Sequence, residues 1–303
     1  MKEIVMLSGK GGTGKTTLLS SFAFLDRRPV IVDCDVDAAN LHLVMNPEVE
    51  ERIEFWCGDK AWIDREKCVD CGICREICRF DAIRSTVVDE LSCEGCGLCA
   101  RMCPAGAIIM RENLSGEWYR SRTRYGPLFH ARLGPGQGNS GKLVALLRQE
   151  ARTLAEQSGA EYVLCDGPPG TGCPVISSLS GVDLALLVTE PSLSGLHDLK
   201  RIIGVCRHFQ VPILVCLNRF DLNREVAARI QQFCQEEDIE LVAKIPFDST
   251  VAYALGLGIP VVECSRGRAA GEIRFLWDRI RTHPGFVKKK RYPLTAGITY
   301  HSY

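Results

Sequence analysis

Residues 8–17 of the chain read Ser-Gly-Lys-Gly-Gly-Thr-Gly-Lys-Thr-Thr. A short apolar run, Ile-Val-Met-Leu at 4–7, precedes this stretch, and a helix-like run, Leu-Leu-Ser-Ser-Phe-Ala-Phe at 18–24, follows it. The stretch contains the G-x-x-x-x-G-K-T frame, and its order of strand, glycine-rich loop and helix is the context in which this frame binds phosphate. The sequence therefore predicts a phosphate-binding loop at the start of an α/β domain.

The chemistry of the loop follows from its residue types. Its glycines let successive N–H groups converge on phosphate oxygens, and the helix that begins near Lys15 adds unsatisfied N–H groups and the positive end of its dipole. We expect Lys15 to reach the β- and γ-phosphates of ATP or ADP, and the Thr16 hydroxyl to ligate Mg²⁺. The residues predicted to contact the nucleotide here are Gly11, Gly12, Thr13, Gly14, Lys15, Thr16 and Thr17.

A second lysine, Lys10, follows the first glycine, where an ordinary phosphate loop does not need one. The run Lys-Gly-Gly-Thr-Gly-Lys-Thr at 10–16 resembles the deviant phosphate loop of the MinD/Mrp/ParA-type ATPases, which include the nitrogenase iron protein. In that family the extra lysine reaches across a nucleotide sandwich dimer to the partner's phosphates. The resemblance implies a catalytic role for Lys10 and Lys15 in a homodimer, or a heterodimer with a paralogous ATPase, that closes on ATP.

Acidic residues at the ends of two later apolar runs extend the resemblance. Asp35, in Asp-Cys-Asp-Val-Asp at 33–37, matches the family position that orients the attacking water, whereas Asp33 either belongs to the site or caps the strand. Asp166 ends an apolar run and precedes Gly-Pro-Pro-Gly at 167–170, which resembles a Walker B strand joined to switch II. The resemblance implies that Asp166 holds Mg²⁺ through water, opposite Thr16, and that the turn responds to the γ-phosphate.

Apolar strands alternate with amphipathic helices through the rest of the chain, with helices expected near 142–157, 194–208 and 223–236. This alternation predicts an α/β fold, with a mostly parallel sheet covered by helices on both faces and ligands at the carboxyl ends of the strands. Asn218 stands at such an end and matches the family's adenine-recognising asparagine, although a plain loop asparagine is the alternative. Pro246 matches the segment that lines the base.

The composition limits the partners. The 303 residues carry 37 basic and 37 acidic side chains, so no overall field favours nucleic acid or an anionic membrane. The first residues run directly into a strand and no apolar run approaches a membrane span, which predicts a cytoplasmic protein without a signal peptide. Pro284, Gly285 and Pro293 disfavour an amphipathic membrane helix around the basic run at 286–291.

Sixteen cysteines are unusual for such a chain, and eight of them form two copies of the run Cys-x-x-Cys-x-x-Cys-x-x-x-Cys. Each cysteine of the second copy stands 25 residues after its counterpart, so the segment is duplicated in sequence. The run resembles that of bacterial dicluster ferredoxins, in which the fourth cysteine of each copy ligates the other cluster. Zinc is the alternative for soft thiolates, but zinc sites usually separate two Cys-x-x-Cys units by a longer gap.

The ferredoxin resemblance implies two 4Fe–4S clusters with crossed ligands. The first cluster is assigned Cys68, Cys71, Cys74 and Cys103, and the second is assigned Cys93, Cys96, Cys99 and Cys78. Pro104 follows the second run as in ferredoxins, but Arg79 replaces the proline after the first run. We expect the positive charge of Arg79 to raise the potential of the second cluster. The sequence leaves the roles of Cys57 and Cys173 open.

Together the two resemblances describe a MinD/Mrp-superfamily ATPase with an inserted, small α+β ferredoxin-like domain. The ATPase domain is expected at 1–57 and 113–303, and the insert at 58–112. The combination favours ATP-gated electron delivery to an unidentified redox partner. Two alternatives remain: assembly or transfer of iron–sulfur clusters to an acceptor, as in Mrp-type carriers, and a positioning role like that of MinD or ParA.

Overall fold

The computed structural model describes residues 1–26 and 28–284, so the basic run at 286–291 lies outside the described residues. Eleven strands are present in this part of the chain: β1 (Lys2–Ser8), β2 (Val30–Asp33), β3 (Glu48–Ile63), β4 (Ile83–Arg84), β5 (Val87–Val88), β6 (Ile108–Thr123), β7 (Gly126–Leu133), β8 (Tyr162–Pro169), β9 (Leu184–Thr189), β10 (Ile213–Asn218) and β11 (Glu240–Ile245).

Nine of these strands form one sheet in the order β11-β10-β9-β1-β8-β2-β7-β6-β3. Neighbouring strands from β11 to β7 are parallel, whereas β7, β6 and β3 pair antiparallel. The predicted α/β class with a mostly parallel sheet is therefore confirmed. The first strand lies at the centre of the sheet, which places the loop that follows it in the middle of the carboxyl edge.

The described helices are α1 (Lys15–Leu25), α2 (His42–Met45), α3 (Ile73–Glu76), α4 (Leu98–Met102), α5 (Ser140–Ser158), α6 (Cys173–Leu179), α7 (Leu193–His208), α8 (Arg224–Glu236), α9 (Ser249–Gly256), α10 (Val261–Cys264) and α11 (Arg268–Arg281), with a 3-10 turn at Phe220–Leu222. The three helices predicted near 142–157, 194–208 and 223–236 are confirmed within two residues at each end.

The parallel part of the sheet is buried on both faces by these helices, whereas most residues of β3 are exposed. Val5 and Leu7 of β1 face the core formed with α5, α7 and α8, and Ile4 and Met6 face the core formed with α1, α10 and α11. All four side chains are fully buried. A strand that alternates between two cores must be apolar at every position, which explains the unbroken apolar run before the phosphate loop.

The cysteine-rich segment sits at the end of a long antiparallel ribbon. Strands β3 and β6 pair from Glu48 opposite Arg122 to Ile63 opposite Ile108, so the chain enters and leaves the segment along paired strands. A separate small core of Ala61, Ile63, Ala82, Ile83, Cys93, Cys99 and Ile108 holds the segment together. The expected domain boundaries at 57/58 and 112/113 fall inside the ribbon.

None of the helices found in residues 1–26 and 28–284 combines the length and the apolar composition that crossing a bilayer requires.

Candidate functional site

The phosphate loop connects the central strand to α1. The helix begins at Lys15 without a side-chain cap, so the N–H groups of its first turn are available to an anion. Lys15 is only 7% exposed, and its Nζ donates a hydrogen bond to Ser8 Oγ at 2.8 Å. The loop thus holds a buried ammonium beside open backbone donors, which is the electrostatic arrangement that a polyphosphate requires.

Two close approaches hold the loop in place. A Cβ atom on Gly9 would lie 2.0 Å from the Cβ of Asp198 on α7, so only glycine fits there. Gly14 has a φ of 102°, and a Cβ at this residue would lie 2.4 Å from Asn218 Nδ2. These contacts explain two of the glycines by space rather than by a general need for flexibility.

Asn218 and Pro246 lie at the same end of the sheet as the loop. Asn218 pairs with Ile245, the residue before Pro246, at the carboxyl ends of β10 and β11. The Asn218 Nδ2 donates to the backbone oxygen of Thr13 at 2.8 Å. The side chain assigned to the base therefore contacts the phosphate loop directly, a contact that its sequence position alone does not predict.

Thr16 and Asp166 meet across the carboxyl edge. Thr16 Oγ1 lies 2.6 Å from Asp166 Oδ2 and 3.1 Å from Asn40 Oδ1. Among the described residues, Asp166 Oδ1 and Thr13 Oγ1 are buried polar atoms without a hydrogen-bond partner. Burial raises the pKa of Asp166 to about 6, although the charge of Lys15 and the Thr16 hydroxyl act in the opposite direction.

These donors fit a hard divalent cation. Mg²⁺ takes oxygen ligands from one or two protein groups, phosphates and water, and it would satisfy the unpartnered carboxylate oxygen of Asp166. Thr16 and Asp166 would hold the ion, directly or through water. Asn40 also reaches this point, although no motif marks it in its short polar loop.

The two aspartates of the first acidic loop differ in their surroundings. Asp33 is buried and accepts hydrogen bonds from the backbone N–H groups of Asp35 and Leu41, so it shapes the turn. Burial, followed by the charge of Asp166, raises the pKa of Asp33. Asp35 is half-buried; burial raises its pKa, and the nearby charge of Lys15 opposes this shift. Of the two, Asp35 is the carboxylate that solvent can reach.

The strand before the second acidic position is longer than predicted. We expected the strand to end at Asp166, but β8 continues to Pro169, which pairs with Ser8. The reason is the extended backbone of the Gly-Pro-Pro segment, whose first glycine packs closely on Leu7. The Gly170 N–H then donates to the backbone oxygen of Ser8 at 3.0 Å. That N–H has to leave Ser8 before it can contact a phosphate.

Lys10 is bound within its own chain. Its Nζ lies 2.6 Å from Glu190 Oε1 and donates to the hydroxyl oxygens of Ser192 and Ser194, each at 3.2 Å. Glu190 also faces Arg219 at 3.5 Å. The glutamate follows β9 and is 180 residues from Lys10 in sequence, so no local pattern could have indicated this contact.

The eight clustered cysteines line two separate cavities. The first cavity is lined by Cys68, Cys71, Cys74 and Cys103. The second cavity is lined by Cys78, Cys93, Cys96 and Cys99. Each cavity thus takes three thiols from one run and the fourth from the other run.

The remaining cysteines have a different environment. Cys206 and Cys234 are core residues, and burial raises the pKa of Cys206 to about 12 and that of Cys234 to about 11. Cys173 is exposed as the first residue of α6, and Cys57 is half-buried in β3. Among the described residues, no three His, Cys, Asp or Glu side chains converge closely enough to hold a single metal ion.

Comparison with known proteins identifies relatives along most of the chain. The family model of the CobQ/CobB/MinD/ParA nucleotide binding domain matches residues 4–261. An uncharacterized protein of Methanocaldococcus jannaschii is 31% identical over 92% of this chain and 96% of its own length. An iron-sulfur cluster carrier protein of Pyrococcus abyssi is 26% identical, covering 86% of this chain and 79% of its own.

Solved structures share the fold. The septum site-determining protein MinD of Pyrococcus horikoshii, solved with Mg-ADP, superposes with a TM-score of 0.56 over 93% of this chain and 96% of its own, at 19% identity. An ATP complex of a Cyanothece McdA variant gives a TM-score of 0.58 over 93% of this chain and 96% of its own, at 17% identity. At these identities the likeness concerns the fold alone.

Proposed function

Because the chain belongs to the CobQ/CobB/MinD/ParA family of nucleotide-binding domains, we propose that it hydrolyses ATP and uses the nucleotide state to gate electron transfer through two 4Fe–4S clusters. One electron at a time would leave the reduced protein and enter a one-electron acceptor protein. The observation that carries this proposal is the pairing of a complete phosphate loop with two cavities that are each lined by four thiols.

The cavities fit clusters by ligand type, number and arrangement. Four cysteine thiolates hold a 4Fe–4S cluster, which when bound supplies a one-electron redox centre. The crossing of Cys78 and Cys103 between the runs matches the ligand pattern of dicluster ferredoxins. A single zinc ion needs its sulfur ligands at roughly 2.3 Å, whereas a cluster of four irons is wider and separates its ligands further.

The residues at the carboxyl edge of the sheet have separate roles in the proposed hydrolysis. Lys15 and the N–H groups of the loop bind and orient the β- and γ-phosphates, and they stabilise the charge that develops during transfer. Thr16 and Asp166 hold Mg²⁺, which when bound neutralises phosphate charge. Asp35, the accessible carboxylate, orients the water for in-line attack. The Gly170 N–H leaves the backbone oxygen of Ser8 and donates to the γ-phosphate, so the turn after β8 moves with the nucleotide state.

Closure of the proposed dimer must break the contacts that Lys10 makes within its own chain. Reaching a partner's phosphates requires Lys10 to leave Glu190, Ser192 and Ser194. Both ionic side chains are partly exposed, so the pair contributes at most about 1 kcal/mol. Glu190 therefore holds the lysine in the monomer without preventing closure.

Glu190→Gln is expected to tighten the ATP-dependent dimer. Each protomer loses one ion pair worth up to about 1 kcal/mol, so the dissociation constant of a homodimer would fall by up to about 30-fold. Sedimentation velocity with a non-hydrolysable ATP analogue measures this constant. Glu237→Gln, which breaks the surface pair of Arg207 and Glu237 on the helices away from the loop, is the matched control. A weaker dimer in Glu190→Gln would show that the glutamate supports closure instead.

Arg79→Pro is expected to lower the reduction potential of the second cluster by tens of millivolts. Arg79 lines the cavity of Cys78, Cys93, Cys96 and Cys99, where its positive charge favours the reduced and more negative state. The side chain is exposed, so solvent screens the effect and keeps it modest. An EPR-monitored redox titration measures both potentials, and an unchanged second potential would contradict the expectation.

Iron–sulfur cluster transfer is the second candidate function. It is favoured by the match to proteins named iron-sulfur cluster carriers. The resemblance to Mrp-type carriers implies a Cys-x-x-Cys late in the ATPase domain, whereas the late cysteines of this chain are isolated: Cys206, Cys216 and Cys234 are buried, and Cys264 is exposed. A positioning role is the third candidate, and it would leave both thiol cavities without a use.

A single stopped-flow experiment separates the candidates. Anaerobically purified, dithionite-reduced protein is mixed with acceptor proteins encoded beside its gene, and cluster oxidation is followed with ATP, with ADP and without nucleotide. Faster oxidation with ATP supports gated electron delivery. Equal rates in all three conditions with every acceptor would refute it, and loss of iron from the protein to an apo-acceptor would support cluster transfer.

A further inference from the structure

We propose that α6, α5 and the loop at 134–139 form a mechanical connection that carries the nucleotide-dependent position of the turn after β8 to the second thiol cavity. This inference rests on the proposed function and specifies how its two halves communicate. The connection predicts that the insert near Cys93 changes its dynamics when ATP replaces ADP, although no insert residue contacts the phosphate loop.

The connection begins at the turn itself. Gly170 donates to the phosphate loop through Ser8, and α6 starts three residues later at Cys173. The first turn of α5 lies directly on this helix: a Cβ on Gly141 would be 3.0 Å from Ser177 Oγ and 3.5 Å from Cys173 Cβ. Because α6 and α5 are in close contact here, a shift of α6 also displaces α5.

A buried arginine joins the two helices through hydrogen bonds. Arg148 of α5 is 3% exposed and donates through Nη1 to the backbone oxygen of Ser177 and through Nη2 to that of Ser180, the latter at 2.9 Å. Its Nε donates to Glu3 Oε1 at 2.7 Å, and Glu3 is fully buried at the start of β1. Because the guanidinium binds the carbonyl end of α6, the two helices respond as one unit.

The loop before α5 reaches the insert. Gln137 Oε1 accepts a hydrogen bond from Asn113 Nδ2 of the ribbon at 2.8 Å. A Cβ on Gly136 would lie 3.5 Å from Leu91 Cδ2, and Leu91 stands two residues before Cys93, which lines the second cavity. The loop thus lies between the first residue of α5 and Leu91, two residues before the cavity-lining Cys93.

Hydrogen–deuterium exchange under anaerobic conditions tests the connection on the whole protein as purified. Peptides from α6 and from residues 88–97 are compared with Mg·ADP and with a non-hydrolysable ATP analogue. We expect both regions to change their exchange rates by about threefold or more between the nucleotides, and peptides around Cys68 and Cys71 to change less. The Gln137→Ala and Leu91→Ser variants should abolish the response at 88–97 while α6 still responds.

Matched variants show that the response depends on these contacts. Gln149→Ala removes an exposed glutamine from α5, and Val87→Ser removes an exposed apolar side chain elsewhere on the insert. Both should respond like the wild type. A responding α6 with an unresponsive insert in the wild type, or a response that survives both test variants, would overturn the connection and leave ATP binding intact. An unresponsive α6 with nucleotide bound would overturn the connection and the moving turn together.

Discussion

Cys78→Ala is expected to halve the iron content of the anaerobically purified protein, from about eight atoms per chain to about four. Cys78 belongs to the first cysteine run, yet it lines the cavity of Cys93, Cys96 and Cys99. Removing one of four thiolates leaves an iron without its protein ligand, so we expect that cluster to be lost and the other to remain. Elemental analysis with acid-labile sulfide and EPR of the reduced protein measure the outcome.

The crossing of the ligands gives this prediction its sharpest form. Cys78→Ala and Cys99→Ala should lose the same EPR signal, and Cys103→Ala and Cys71→Ala should lose the other. Cys264→Ala, which removes an exposed cysteine outside the insert, is the control and should retain all the iron. If Cys78→Ala instead lost the signal that Cys71→Ala loses, the ligands would follow the sequence runs and the assignment by cavities would be wrong.

Lys15→Ala is expected to reduce ATP hydrolysis by roughly 100-fold or more, since a charged group that stabilises the transition state is usually worth that much. The ammonium is buried beside Ser8 at the start of α1, so water cannot replace it without rearrangement of the loop. Phosphate release measures turnover, and binding of a fluorescent ATP analogue measures affinity. We expect affinity to fall as well, because the same charge binds the phosphates before transfer.

Two controls make the result specific. Lys244→Ala removes an exposed lysine of the edge strand β11, which donates to Gln231 of α8. This variant should hydrolyse ATP normally. Lys15→Ala itself should retain about eight irons, since the insert has its own core. Unchanged hydrolysis in Lys15→Ala would remove the phosphate loop from the mechanism, and a loss of iron would show that the two halves do not fold independently.

Much of the site could be predicted from the sequence because its information is local. A phosphate loop needs consecutive glycines, a lysine and a hydroxyl between a strand and a helix, and all of these lie in residues 4–24. Parallel strands collect their ends at one edge, and Asp166, Asn218 and Pro246 lie at the edge that carries the loop. The duplicated cysteine run could also be identified from the sequence, because the spacing of its cysteines is what defines it.

The remaining features depended on which distant segments meet. Asn40 lies beside Thr16, Glu190 holds Lys10, and Gly9 is required because α7 passes against it, yet each contact joins residues that are remote in sequence. The pairing of β3 with β6 is another such contact, since neither strand shows its partner in its own pattern.

The amino-acid order alone thus predicted which ligands the chain would bind, because phosphate and cluster sites are specified by short runs with fixed spacing. Only the tertiary structure decided how the residues of those sites are held and connected: the intrachain pairing of Lys10, the long ribbon of β3 and β6, and the contacts from α6 through α5 and the loop at 134–139 to Leu91. The physical reason is that spacing along the chain sets local geometry, whereas contacts between distant segments arise from the packing of the whole sheet and its helices.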